Sequence, residues 1–117
     1  MKYSHWSKLY VVSKMVDSED KYIFLKKWTD EITNKLRLKT SIDDLDIAYY
    51  YNNFNHLPEV DDLDDKIQNL ILIDDMLAEK DHSKIEDYFI RSRKKNCSII
   101  YLSQSFYRTA LNLLYLM

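Results

Sequence analysis

The sequence predicts an α/β fold, a short three-stranded parallel sheet with helices packed against it. Three observations carry that expectation. Short apolar runs rich in β-branched and aromatic residues, Lys8–Ser13, Leu70–Ile73 and Ser98–Leu102, have the length of buried strands. The segments between them carry apolar residues at helical spacing. The last two runs stop abruptly at polar residues, Asp74-Asp75 and Ser103-Gln104, and ligands of parallel sheets bind beyond the carboxyl ends of the strands.

Taken in order, Lys8-Leu9-Tyr10-Val11-Val12-Ser13 reads as the first strand. Asp17 and Asp20 resemble a capping box, and a helix is expected from about Glu19 to Leu36 with Leu25, Trp28, Ile32 and Leu36 on its apolar face. Ser41 and Asp44 look like a second cap, opening a helix with Ile42, Leu45 and Tyr49 inward, although Tyr49-Tyr50-Tyr51 also fits a strand. Asn52 to Pro58 is a turn or loop, and Pro58 suits the first position of a third helix that buries Val60, Leu63 and Ile67. Its first turn holds Glu59, Asp61 and Asp62, where the helix dipole favours acids. After the Asp74-Asp75 strand comes a polar loop, Ala78 to His82. Ser83-Lys84-Ile85-Glu86 then caps a helix reaching about Lys95, with Asn96 as a left-handed stop. Phe106 to Met117 is apolar and expected to be helical.

At 117 residues with 46% hydrophobic content, the chain suffices for one domain with one core. No apolar run approaches the roughly 20 residues that cross a bilayer, and Met1 to Trp6 show no signal-peptide core. A net charge of −2 disfavours broad nonspecific nucleic-acid binding by this domain alone. The single cysteine, Cys97, rules out an internal disulfide, suits a reducing compartment and reads as a small apolar residue entering the last strand. Average usage would give about eight glycines; there are none, so no glycine-rich phosphate loop exists in this sequence.

The groups able to carry chemistry sit at the strand ends. An acid leaving a strand, such as Asp74, can hold Mg²⁺, and its neighbour Asp75 can orient or deprotonate an attacking water. Solvated acids ending a strand give the same pattern. Gln104 can hydrogen-bond a γ-phosphate or that water, or be an amide satisfied by backbone. Arg91 and Arg93, in Arg91-Ser92-Arg93-Lys94-Lys95, complement a helix dipole at its carboxyl end. The alternative is that one of them reaches a phosphate across a subunit boundary.

Three segments in order, Leu70-Ile71-Leu72-Ile73-Asp74-Asp75-Met76, Phe89-Ile90-Arg91-Ser92-Arg93-Lys94-Lys95-Asn96 and Ser98-Ile99-Ile100-Tyr101-Leu102-Ser103-Gln104-Ser105-Phe106, resemble the viral DNA-packaging ATPases of the poxvirus and giant-virus type, within the HerA/FtsK superfamily of P-loop NTPases. The likeness covers residues 69–106. It implies a Walker B strand ending at Asp74, the Mg²⁺-associated acid, and Asp75, the catalytic carboxylate. It also implies Gln104 as the sensor and Arg93, or less so Arg91, as an intersubunit contact. ATP and Mg²⁺ would be the cofactors, a homo-oligomeric ring or a complementing ATPase fragment the partner, and double-stranded DNA the cargo of the assembled motor. The place of action would be the virion or the host-cell site of virus assembly.

The departure is the Gly-rich loop ending in Gly-Lys-Thr/Ser. That loop and the strand before it have no counterpart here, so the expectation is a partial core, truncated, split or decaying, with nucleotide affinity lost. The family's sheet order, 5-1-4-3-2, makes the three strands present contiguous, with an open edge on the fourth. Two other readings stand beside this one. One is a non-catalytic binding or assembly module on the same fold; the other is a metal-dependent nuclease using the acidic clusters. The nuclease is weakest, because the acids fall at helix starts and His5, His56 and His82 all lie in loops or ends.

Overall fold

In a computed structural model of the chain, residues 7–74, Met76 and residues 83–102 are described. The sheet has four parallel strands rather than three, in the order β2-β1-β3-β4. Strand β1 spans Ser7–Ser13, β2 Ala48–Tyr51, β3 Gln68–Asp74 and β4 Cys97–Leu102. The three strands expected from the sequence are indeed contiguous, as β1, β3 and β4. The addition is β2, which pairs with β1 in the register Tyr10↔Tyr49 and Val11↔Tyr50. It replaces the second expected helix. Tyr49 and Tyr51 turn to one face and Tyr50 to the other, a period of two that a helix could not satisfy. Tyr10 and Tyr49 stack with ring centroids 5.1 Å apart.

Helix α1, Asp20–Thr40, joins β1 to β2 and ends at Ser41, whose left-handed backbone (φ 60°) donates its N–H to the Arg37 carbonyl. No side chain caps its start at Glu19; Asp17, expected as a cap, instead pairs with Lys26 at 2.7 Å. Its buried stripe is Tyr22, Thr29 and Thr33, with Leu25 half-buried beside them. The expected apolar face is corrected at Trp28, which is 53% exposed. The threonines can take the buried positions because each hydroxyl bonds back along the helix, Thr29 to the Leu25 carbonyl (3.0 Å) and Thr33 to the Thr29 carbonyl (2.7 Å).

The expected third helix is a pair of 3₁₀ turns, Phe54–His56 and Val60–Asp62. Val60, Leu63 and Ile67 are nonetheless buried as expected. Helix α2, Ser83–Arg91, runs into a 3₁₀ turn at Ser92–Lys95, and Asn96 stops it in the left-handed region (φ 51°). The loop around residues 77–82 and the segment 103–117 lie outside the described residues. None of the helices among the described residues is long and apolar enough to cross a membrane.

The two sheet faces are covered by different parts of the chain. Tyr10, Val12, Ile71 and Ile73 pack on one face with Phe54, Leu57, Val60 and Leu63 of the turns and Ile85 and Tyr88 of α2. On the other, Val11, Leu9 and Leu72 meet Tyr22 and Leu25 of α1. That division follows from handedness. The chain leaves β1 toward β2 in one direction and leaves β3 toward β4 in the other, and right-handed crossovers in opposite directions fall on opposite faces.

Candidate functional site

Because the connections diverge, the carboxyl ends of β1 and β3 flank a topological switch point, where sheets of this kind bind ligands. The residues at that crevice are Ser13, which ends β1, and Asp74, which ends β3, and they are register partners. Both are buried, Ser13 at 1% and Asp74 at 8% exposure. Burying a carboxylate is costly unless it is paired and hydrogen-bonded. Helix α1 supplies both partners from its first turn: the Tyr22 hydroxyl donates to Asp74 Oδ2, and Lys21 Nζ lies 3.0 Å from the same oxygen. Lys21 also reaches Glu19 at 3.3 Å.

The electrostatics are mutual. The Asp74 carboxylate raises the Lys21 ammonium above the usual lysine range, against a smaller opposing effect of burial. Burial, and then the hydrogen bond to Asp74, push the Tyr22 phenol up to about 12. Lys21 and Tyr22 are therefore a cation and a neutral donor at neutral pH. Neither was expected from the sequence. Their signal is positional: they open the helix that directly follows the carboxyl end of β1.

Of the expected site residues, Asp74 sits at this crevice and is held by α1. Asp75 and Gln104 lie outside the described residues. Arg93 is exposed in the 3₁₀ turn before β4, at the amino ends of the strands. The length of β3 separates it from Asp74, roughly 20 Å at 3.3 Å per residue, so it does not meet Asp74 within one chain. Arg91 is engaged locally, bonding Asp61 and, at 3.1 Å, Asp87. These carboxylates hold its guanidinium further above its ordinary value, and Arg91 in turn lowers Asp61. His56 lies exposed in the first 3₁₀ turn, where its backbone N–H bonds Asn53 Oδ1 at 3.2 Å.

Magnesium and a nucleoside triphosphate do not fit the described residues as they stand. A phosphate cradle needs converging free amides, but amides of the β1–α1 turn are already engaged within it. Met15 N–H bonds Ser13 Oγ (3.2 Å), Val16 N–H the Ser13 carbonyl (3.2 Å) and Glu19 N–H the Met15 carbonyl (3.0 Å). A divalent ion at Asp74 would compete with Lys21 and Tyr22 for Oδ2. Among the described residues no group of three or more His, Cys, Asp or Glu side chains could hold a metal. Among the described residues, the crevice holds one buried acid between an ammonium and a phenol. No protein-family model, curated protein or solved structure matches the chain.

Proposed function

We propose that this chain is a piece of a DNA-translocating ATPase of the viral packaging type, unable to bind or hydrolyse nucleotide alone. The observation that supports it is the position of Asp74, an acid at the carboxyl end of β3, at the switch point of an all-parallel sheet. Asp75 follows it in sequence, and β4, whose continuation carries Gln104, is its neighbour. On this reading Asp74 is the metal-associated acid of the intact protein, Asp75 the catalytic carboxylate and Gln104 the sensor. Arg93, far from Asp74 in its own chain, is an intersubunit contact in a ring. Mg²⁺ and ATP then belong to the assembled motor, as does double-stranded DNA, and assembly takes place in the virion or at the host-cell site of virus assembly.

The test is in two steps. Calorimetry of Mg²⁺-ATP against the chain alone is expected to give no binding heat, and ATP turnover by the chain alone that disappears in Asp75→Asn refutes the proposed silence. Adding a second polypeptide that carries a strand and a Gly-Lys-Thr loop is expected to give turnover that Asp75→Asn removes. The second reading, a non-catalytic assembly module on the same fold, draws support from the Lys21–Asp74 ion pair, which supplies the acid with an internal cation. Complementation that fails at every ratio of the two polypeptides favours that reading.

A further inference from the structure

Helix α1 carries two stripes. One, Tyr22, Thr29 and Thr33, is buried toward the sheet. The other, Phe24, Trp28, Glu31, Lys35 and Leu38, lies about half a turn round the helix. Its members recur at intervals of 4, 3, 4 and 3 residues, the spacing of a coiled-coil seam. All five are exposed, Phe24 at 70% and Leu38 at 85%. Apolar side chains scattered singly on a surface need no explanation. Here three share one seam, and Ile42, also exposed, follows just past the helix end. The charges in the middle of the seam are uncommitted, since the ion pairs of α1 among the described residues are those of Lys21, Lys26 and Arg37. The domain already has three layers, α1, the sheet, and α2 with the 3₁₀ turns, and one core takes two or occasionally three. What the outer side of α1 fits is therefore another chain.

We propose that this seam pairs with itself: two copies of the chain associate through α1, the helices antiparallel about a two-fold axis at the level of Thr33. Trp28 then meets the partner's Leu38, Glu31 meets the partner's Lys35, and Phe24 meets the partner's Ile42 beyond the helix end. The two-fold repeats each contact, so two Glu–Lys layers lie at the centre with apolar layers on either side. Charge complementarity selects both the occupant and its direction. A parallel pair would set Glu31 against Glu31 and Lys35 against Lys35, and like charges facing each other are destabilising. Sliding the antiparallel pair by one heptad would bring Trp28 onto Glu31 and Phe24 onto Lys35, leaving no matched layer between them. Trp28 is the anchor, a large aromatic of the kind that dominates interface energetics. An isologous pair closes at two copies, so this contact is separate from the ring contact assigned to Arg93, and it does not depend on the ATPase reading.

Sedimentation equilibrium of the full chain, from about 1 to 300 μM, tests it. One helix pair lies at the small end of specific interfaces, so a monomer–dimer equilibrium with a Kd in the micromolar range is expected. Glu31→Lys sets lysine against the partner's Lys35 in both central layers, and Lys35→Glu sets glutamate against the partner's Glu31. Each variant alone should dimerise at least about tenfold more weakly. Their equimolar mixture should recover wild-type strength, because every central layer of the heterodimer is again a Glu–Lys pair. Trp28→Ala should also weaken the dimer at least about tenfold. All three positions are exposed, so the monomer should keep its fold, and circular dichroism with Tm checks that it does. A monomer at every concentration, a dimer that the single charge reversals leave unchanged, or a mixture no stronger than either variant alone each overturn the proposal.

Discussion

Tyr22→Phe isolates the bond that lets α1 hold a buried acid at the end of β3. The ring stays and only the hydroxyl goes, so the 2%-exposed core position keeps its packing. A hydrogen bond from a neutral donor to a charged acceptor contributes about 1.5–3 kcal/mol when buried. The Asp74 side chain is only 12% exposed, so solvent does little to replace it. Lys21 is the weaker holder despite its full charge, because its side chain is 59% exposed and such pairs contribute about 0.2–1 kcal/mol. Tyr22→Phe should therefore cost about 2 kcal/mol at neutral pH, a fall of about 10 °C in Tm for a domain of this size. Lys21→Gln should cost less than about 1 kcal/mol. Urea unfolding followed by circular dichroism measures both, and a double-mutant cycle of Tyr22→Phe with Asp74→Ala should return a coupling of about 1.5 kcal/mol. A loss in Tyr22→Phe below about 0.5 kcal/mol, or no coupling to Asp74, would falsify the hydrogen-bond argument.

Other outcomes follow from the same structure. Asn69→Leu should cost about 3 kcal/mol in urea unfolding, because the Asn69 amide donates to the carbonyls of Asp64 (2.9 Å), Lys95 (3.1 Å) and Ile67 (3.4 Å). Ile71→Ala, at a fully buried position between the two neighbouring strands, should cost about 2–5 kcal/mol. Alkali should unfold the chain. Tyr10 and Tyr22 are raised from 10.0 to about 12 and Cys97 from 9.0 to about 11, so the stability they confer is complete below the unfolded values and is lost as pH climbs through the folded ones. Tyrosinate absorbance and circular dichroism should then change together between about pH 10 and 12, and ionisation of all tyrosines at the ordinary value without unfolding would contradict this. Arg93→Ala should leave Tm within about 2 °C, since the Arg93 side chain is exposed and only its backbone carbonyl, which the substitution keeps, accepts a hydrogen bond, from the Asn96 N–H.

The strands legible in the sequence were those whose neighbours are also apolar runs. β1, β3 and β4 are short and rich in branched or aromatic residues, and they form where the pattern places them. At β2 the local signals conflict, because Ile42, Leu45 and Tyr49 fall at helical spacing while Tyr49-Tyr50-Tyr51 also fits a strand. Its state is decided by pairing with β1, a contact across some 40 residues that no local window contains. The phase of α1 differs at Trp28 for a chemical reason: apolar spacing places large side chains in the core, whereas threonines with internally bonded hydroxyls occupy those positions. Asp74 was visible because an acid ending an apolar run is a local signal. Tyr22 and Lys21 were not, because their connection to Asp74 spans more than 50 residues and exists only once α1 has crossed the β1 end.

Asn69 and Asp74 sit five residues apart on one strand, an odd interval, so their side chains emerge on opposite sides of the sheet. The amide clamp at the foot of β3 therefore acts as an index pin for its head. While Asn69 grips the turn before it and the turn before β4, the strand can be threaded in only one phase, and that phase delivers Asp74 to the ammonium and phenol of α1. Slipping by one residue would send the acid among Tyr88 and Ile85 and offer Ile73 to Lys21. Damage at the amino edge of the sheet should accordingly be felt first at the carboxyl edge, as a displaced acid and a lysine left with Glu19 alone.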